Sequence, residues 1–260
     1  MLKSLLAVLS TSYIAWYFEN HELAVVYPFD DTYATPAEAG APVLRETVFE
    51  TTDGSRLIVW QAPAADGQPT IVYFPGNAGT LADRARRFGE IADAGFGVVA
   101  PAYRGSSGSS GSPEETLLVA DAAAVAESLS GPVVLYGESL GAAIAIQLAA
   151  RGFGDAVVLE APFTSLVDLV AVQYPMEDLS ETLTQRWESL SFVGALRQPL
   201  MVIHGEEDNV VPLTMGLTIY EAAGSQDKTF LAVGGLGHSE IWTQAVRADL
   251  FAFLMRDFGN

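Results

Sequence analysis

From about residue 47 onward, short β-branched apolar runs alternate with alanine-rich stretches of helical period. The runs at 56–61, 70–74, 97–100, 133–136, 156–159, 200–204 and 229–233 are the predicted strands. The later ones are almost wholly apolar, as strands covered on both faces must be. Between them the pattern predicts helices over about 80–94, 113–130, 140–151, 212–223 and 238–257. Such alternation argues for a mostly parallel central sheet flanked by helices. Ser112, Pro113 and Glu115 fit a capping box that opens one of those helices. Residues 162–198 break the alternation with a mixed helical pattern, and they are expected to form a small helical cap between two strands.

Ahead of this pattern, residues 2–18 read LKSLLAVLSTSYIAWYF, with Lys3 as the sole charge. That length is at the lower limit for a membrane-spanning helix. Three readings compete: a short membrane anchor, a secretory signal peptide, and an interfacial or core helix whose apolar face includes Leu2, Leu5, Leu6, Leu9 and Trp16. Trp16, Tyr17 and Phe18 suit a membrane interface, whereas a signal peptide ends in small residues. The expectation is therefore a hydrophobic segment over 1–20, associated with a membrane through residues 2–18, followed by one α/β domain over 21–260.

Composition narrows the function classes. Half of the 260 residues are apolar and 17% are charged, enough for one buried core. Thirteen basic against 32 acidic residues leave a formal charge of -19, which repels phosphate backbones, so no nucleic-acid partner is expected. With no cysteine the chain has no thiolate ligand and no cysteine nucleophile. Its three histidines, at 21, 204 and 238, form no HExxH pair, so neither a metal nor any other cofactor is called for. The Gly/Ser tract from Arg104 to Ser112 lacks the Gly-Lys-Ser/Thr of a phosphate cradle and reads as a flexible loop after a strand. Asp53-Gly54 reads as a hairpin turn.

Against that background, Gly137-Glu138-Ser139-Leu140-Gly141 carries chemistry. This G-x-S-x-G follows an apolar strand and opens an alanine-rich helix, the context of a nucleophile elbow. A serine hydroxyl needs a base, and a neutral histidine needs a carboxylate to fix its tautomer. Asp208 lies just after one later strand and His238 after the next, so the order Ser139, Asp208, His238 is that of α/β-hydrolases. Glu206 and Glu207 are rivals for the acid role, and His204, at the end of a buried strand, is expected to make a structural hydrogen bond. The helix behind Ser139 directs its free amides at the reacting carbonyl, which makes the Leu140 amide one expected oxyanion donor. The amide of Asn77, in the glycine-rich turn 74–79, is the expected second. Phe163, Tyr174, Met176 and Trp187 are candidate acyl-pocket residues, although such side chains are more often core.

Tyr73-Phe74-Pro75-Gly76-Asn77-Ala78-Gly79, Tyr103-Arg104-Gly105, Gly137 to Gly141, Ala161-Pro162-Phe163 and His204-Gly205 with Asp208 recur together in order. In these motifs, from about residue 43 to the C-terminus, the chain resembles the Bem46-like branch of α/β-hydrolases. The resemblance implies an α/β-hydrolase fold and serine esterase or thioesterase chemistry on a small-molecule or acyl ester. It also implies a short hydrophobic anchor at the start of the chain, and some eukaryotic members remove fatty acyl groups from protein cysteines. One departure stands out: Pro75 replaces the family's usual histidine before Gly76-Asn77, so a hydrogen bond from that histidine is lost. Peptidase or amidase activity on the same triad, and a membrane-tethered binding protein without turnover, are the rival readings.

Overall fold

A computed structural model of the chain describes residues 2–175, 178–256 and 258, with residues 2–13 as backbone only. One eight-stranded sheet organises it. The strands are β1 (Arg45–Glu50), β2 (Arg56–Ala62), β3 (Thr70–Phe74), β4 (Gly97–Pro101), β5 (Val133–Glu138), β6 (Ala156–Glu160), β7 (Leu200–Gly205) and β8 (Lys228–Val233), in the order β1-β2-β4-β3-β5-β6-β7-β8. β2 runs antiparallel to both β1 and β4, and every other neighbouring pair is parallel. The parallel strands β3 to β7 are buried almost throughout, which is why their sequences are nearly all apolar.

β1 has no counterpart in the predicted strands. Its sequence, RETVFE, is half charged and mostly exposed. Charge suits an edge strand, because it discourages pairing with another chain, but it removes the apolar signature. Asp53-Gly54 makes the β1–β2 turn, with Gly54 at φ +83° and its amide bonded to the Thr51 carbonyl at 2.9 Å.

The helices are α1 (Leu2–Val26), α2 (Ala85–Asp93), α3 (Glu115–Glu127), α4 (Leu140–Ala150), α5 (Leu166–Gln173), α6 (Ser189–Val193), α7 (Leu213–Ala222) and α8 (Gln244–Leu254). Two apolar clusters cover the two faces of the sheet. Side chains of α3, α4 and α7 join one, and those of α2 and α8 join the other. Every residue of α4 from Leu140 to Ala149 is buried, and its small side chains let it lie close on β3, β5 and β6. Helices α5 and α6 occupy the segment between β6 and β7.

Two local expectations are corrected. Helix α3 starts at Glu115 with Glu114 as its N-cap and no side-chain cap, so Ser112 and Pro113 precede it. The Glu115 carboxylate instead accepts from the amides of Arg186 and Trp187 at 2.7 and 3.0 Å. The Gly/Ser tract is packed rather than a free loop. Ser106, Ser107 and Ser109 are buried, and the hydroxyls of Ser109 and Ser110 accept from the β2 amides of Ile58 and Arg56 at 2.9 and 2.8 Å. Those hydroxyls act as partners for β2 beyond its pairing with β4.

Helix α1 breaks helical geometry at His21 (φ -135°, ψ 18°), and Phe18 and Val26 are buried in the core with Tyr27 just beyond it. Among the described residues no helix is long and apolar enough to cross a membrane.

Candidate active site

Ser139 sits where β5 turns sharply into α4, at φ 52° and ψ -111°, a conformation that non-glycine residues rarely hold. Its amide donates to the Glu160 carbonyl at 2.8 Å, which locks the turn onto β6. The flanking glycines are required by space. A Cβ at Gly141 would overlap the Phe74 carbonyl of β3, and one at Gly137 would overlap the start of α4.

His238 Nε2 lies 3.1 Å from Ser139 Oγ, and His238 Nδ1 lies 2.7 Å from Asp208 Oδ2. Asp208 follows β7, and its other oxygen accepts from the amides of Val210 and Val211 at 2.9 and 2.8 Å. Burial alone would raise the Asp208 carboxyl, but hydrogen bonds from His204, His238 and the Val211 amide hold it well below the usual carboxylate range. His204 is fully buried, with Nε2 2.9 Å from the Val211 carbonyl and 3.4 Å from Asp208 Oδ2. A carbonyl only accepts, so Nε2 is the nitrogen that carries hydrogen there. Glu206 and Glu207 are exposed.

The amide of Leu140 heads α4, among the first-turn NH groups that have no carbonyl one turn back. Asn77 lies on the turn after β3 and lines the same cavity as Ser139. That cavity, of about 430 Å³, is lined by Gly76–Gly79, Asp83, Arg84, Glu138, Ser139, His238 and Ser239. Three hydrogen bonds from other elements or from further along the chain hold the turn. Tyr103 Oη donates to the Pro75 carbonyl at 2.7 Å, Asn77 Nδ2 to the Val26 carbonyl at 2.9 Å, and Arg84 Nη1 to the Ala78 carbonyl at 2.9 Å.

The aromatic residues considered for an acyl pocket do not line this cavity. Trp187 is fully buried and its indole donates to Tyr27 Oη at 3.1 Å, Tyr174 meets Phe18 edge-on, and Phe163 is buried in the core. Met176 lies outside the described residues.

Beneath the elbow runs a buried ionic network that the sequence pattern does not announce. Arg84 grips both oxygens of Glu138 at 2.9 and 2.7 Å, and Tyr73 donates to the same carboxylate at 2.7 Å. Arg87 grips Glu160 at 2.8 and 3.2 Å and also donates to the Tyr73 hydroxyl, while Tyr136 donates to Glu160. Burial would raise the Glu138 carboxyl, but the guanidinium of Arg84 outweighs it, helped by Arg87 and the Tyr73 hydroxyl, and brings it down to about 2. The available signal was an acidic residue inside G-x-S-x-G, a second closing β6, and two arginines three apart on the helical stretch after the glycine turn. Among the described residues no cluster of three histidine or acidic side chains is arranged to hold a metal ion.

Residues 71–203 match the alpha/beta hydrolase family. An uncharacterised protein of Mycobacterium tuberculosis is 33% identical over 249 residues, which cover 91% of this chain and 87% of that protein. Protein bem46 of Schizosaccharomyces pombe is 29% identical over 198 residues, 70% of this chain and 66% of its own length. A lysophosphatidylserine lipase of Danio rerio is 31% identical over 181 residues, 60% of this chain and 47% of its own. Among solved structures, a Pyrococcus furiosus esterase superposes with a TM-score of 0.72 at 18% identity, covering 89% of this chain and 99% of the esterase.

Proposed function

The chain belongs to the alpha/beta hydrolase family, and on that premise we propose that it is a serine hydrolase that cleaves carboxylic esters or thioesters through an acyl-enzyme. The observation that carries this reading is the hydrogen-bonded line from Ser139 Oγ through His238 to Asp208, at 3.1 and 2.7 Å. In the reaction, His238 Nε2 takes the Ser139 proton as Oγ attacks the carbonyl, and Asp208 keeps the remaining hydrogen on Nδ1. The tetrahedral oxyanion is met by the amides of Leu140 and Asn77. His238 then gives its proton to the leaving alcohol or thiol. Water, activated by the same histidine, releases the acid.

Residues 21–260 form the catalytic domain in this reading, with a small cap at about 162–198. The apolar N-terminal segment, residues 2–18, associates with a membrane. Its leucine-rich run and the exposed rings of Trp16 and Tyr17 support this, such aromatics being favoured at membrane interfaces. Recovery of the full chain in the membrane fraction, lost on Leu5→Glu/Leu9→Glu, is the expected outcome.

The chemistry is tested by fluorophosphonate labelling and by hydrolysis of a p-nitrophenyl ester. Wild type should label at Ser139 and turn over the ester, while Ser139→Ala should do neither and remain folded. Ester turnover retained by Ser139→Ala refutes the assignment.

A further inference from the structure

We infer that Arg84 is a positioning residue for the oxyanion turn, tying Gly76–Gly79 to the nucleophile elbow through Glu138. The inference rests on the acyl-transfer reading above. Two groups of the turn are not free to make this tie: Pro75 has no amide hydrogen, and the Asn77 side-chain amide is engaged by the Val26 carbonyl.

Arginine supplies five donors in a rigid planar fork. On Arg84, Nε and Nη2 take the two oxygens of Glu138 at 2.9 and 2.7 Å, while Nη1 donates to the carbonyls of Ala78 and Thr80 at 2.9 and 3.2 Å. One planar group thus spans from the residue before Ser139 to the residue after Asn77. It sets the separation of the Leu140 and Asn77 amides, which must both reach a single developing oxyanion. Glu138 cannot swing away, because Tyr73 holds its Oε2 at 2.7 Å and Arg87 stands behind that hydroxyl.

Turn and elbow are also in close contact, so their spacing is sensitive to small shifts. A Cβ at Gly76 would come 3.2 Å from Glu138 Oε1 and 3.6 Å from Ser139 Cβ. The Arg84 and Glu138 side chains are only 12% and 19% exposed, so most of each is held by protein groups although both border the cavity.

The test compares Arg84→Met, Arg84→Lys, Glu138→Gln and the double variant Arg84→Met/Glu138→Gln with wild type and Ser139→Ala in the full chain. The readouts are kcat and KM on a p-nitrophenyl ester and the affinity of phenylboronic acid, which forms a tetrahedral adduct on the serine. Arg84→Met should lower kcat about 100-fold, the order expected of a misplacement near 1 Å. KM should stay within about threefold of wild type, because ground-state binding is spared. Boronate affinity should fall with kcat. Lysine keeps the charge but cannot fork, so Arg84→Lys should recover little of the loss. The double variant should be no worse than Arg84→Met, since both cut the same tie.

Wild-type kcat and boronate affinity in Arg84→Lys would mean that Arg84 only neutralises Glu138, and the inference is overturned. Wild-type kcat in Arg84→Met, folded by circular dichroism, overturns it equally. Should Arg84→Met not fold, Arg84→Lys and Glu138→Gln decide, and undiminished kcat in either ends the inference. Ser139→Ala keeps the two questions apart. Turnover in that variant defeats the acyl-transfer reading itself, whereas a dead Ser139→Ala beside fully active Arg84 variants defeats the positioning role alone.

Discussion

The carbonyl oxygen of Val26, the last residue of α1, accepts a 2.9 Å hydrogen bond from the side-chain amide of Asn77. The helix built from the apolar N-terminal run therefore ends against the turn proposed to bind the oxyanion. Phe18, Val26 and Tyr27 bury their side chains in the core. Glu22 accepts from the amides of Thr184 and Gln185 at 2.6 and 2.8 Å, joining α1 to the segment between β6 and β7.

Asn77→Ala keeps the backbone amide and removes only this tie. One net hydrogen bond contributes about 1 kcal/mol, and the Val26 carbonyl would lose its partner, so stability should fall by about 1–2 kcal/mol. If the tie also aims the amide, kcat on a p-nitrophenyl ester should fall by about tenfold with KM little changed. Steady-state kinetics and urea unfolding of the full chain read the two effects separately.

Asp208→Asn tests the orientation of His238. The remaining amide oxygen keeps the bonds from Val210 and Val211, which leaves an NH₂ group facing His238 Nδ1. That forces the imidazole hydrogen onto Nε2, where it faces Ser139 and cannot accept the hydroxyl proton. The expected outcome is a fall in kcat of about 10⁴-fold, with fluorophosphonate labelling slowed in parallel and the fold intact by circular dichroism.

The elements legible in the sequence are those whose signal is local. β3 to β7 are short apolar runs because both faces are covered, and Ser139, Asp208 and His238 can be named because each follows a predicted strand in the required order. β1 escapes notice because an edge strand uses charge in place of apolar alternation. The Gly/Ser tract misleads because its serines act on β2, about fifty positions away, and spacing along the chain carries no trace of that. Glu115 matches a local capping pattern, yet its carboxylate is used on Arg186 and Trp187. Arg84 and Glu138 are 54 residues apart, and a pair so separated leaves no periodic mark in a single sequence.

Glycine space distinguishes two superficially similar substitutions. A Cβ at Gly141 would overlap the Phe74 carbonyl and press on its side chain, and neither the strand nor α4 can yield without disturbing the elbow. Gly141→Ala should therefore cost more than about 3 kcal/mol or leave the chain insoluble, the range of severe overpacking. At Gly89, inside α2, an added methyl group would meet nothing within 4 Å. Gly89→Ala should stabilise by about 0.5–1 kcal/mol through helix propensity and reduced freedom of the unfolded chain. Thermal unfolding of the two variants beside wild type should give shifts of opposite sign.

The partly buried carboxylate of Glu138 should leave its signature in acid. Its folded-state pKa is depressed from 4.5 to about 2 by Arg84, Arg87 and the Tyr73 hydroxyl, against the opposing effect of burial. A depressed carboxyl contributes stability that is fully present above its unfolded value and is lost as pH falls through its folded value. The window is therefore from about pH 4.5 down to about 2, and the contribution is on the order of 3 kcal/mol. Asp208 is shifted the same way, so the protein as a whole should weaken in the same direction. Glu138→Gln singles out Glu138 and the network it shares through Arg87, because carboxylates outside that network titrate alike in both proteins and cancel in the difference. The gap in unfolding free energy between wild type and Glu138→Gln should be widest and flat near neutral pH, narrow below about pH 4.5, and almost close near pH 2. Urea unfolding at a series of pH values reads it directly. A gap that stays constant from neutral pH into strong acid would mean that the ionised form of Glu138 adds nothing to the fold, and that its grip on Arg84 is no stronger than that of a neutral amide.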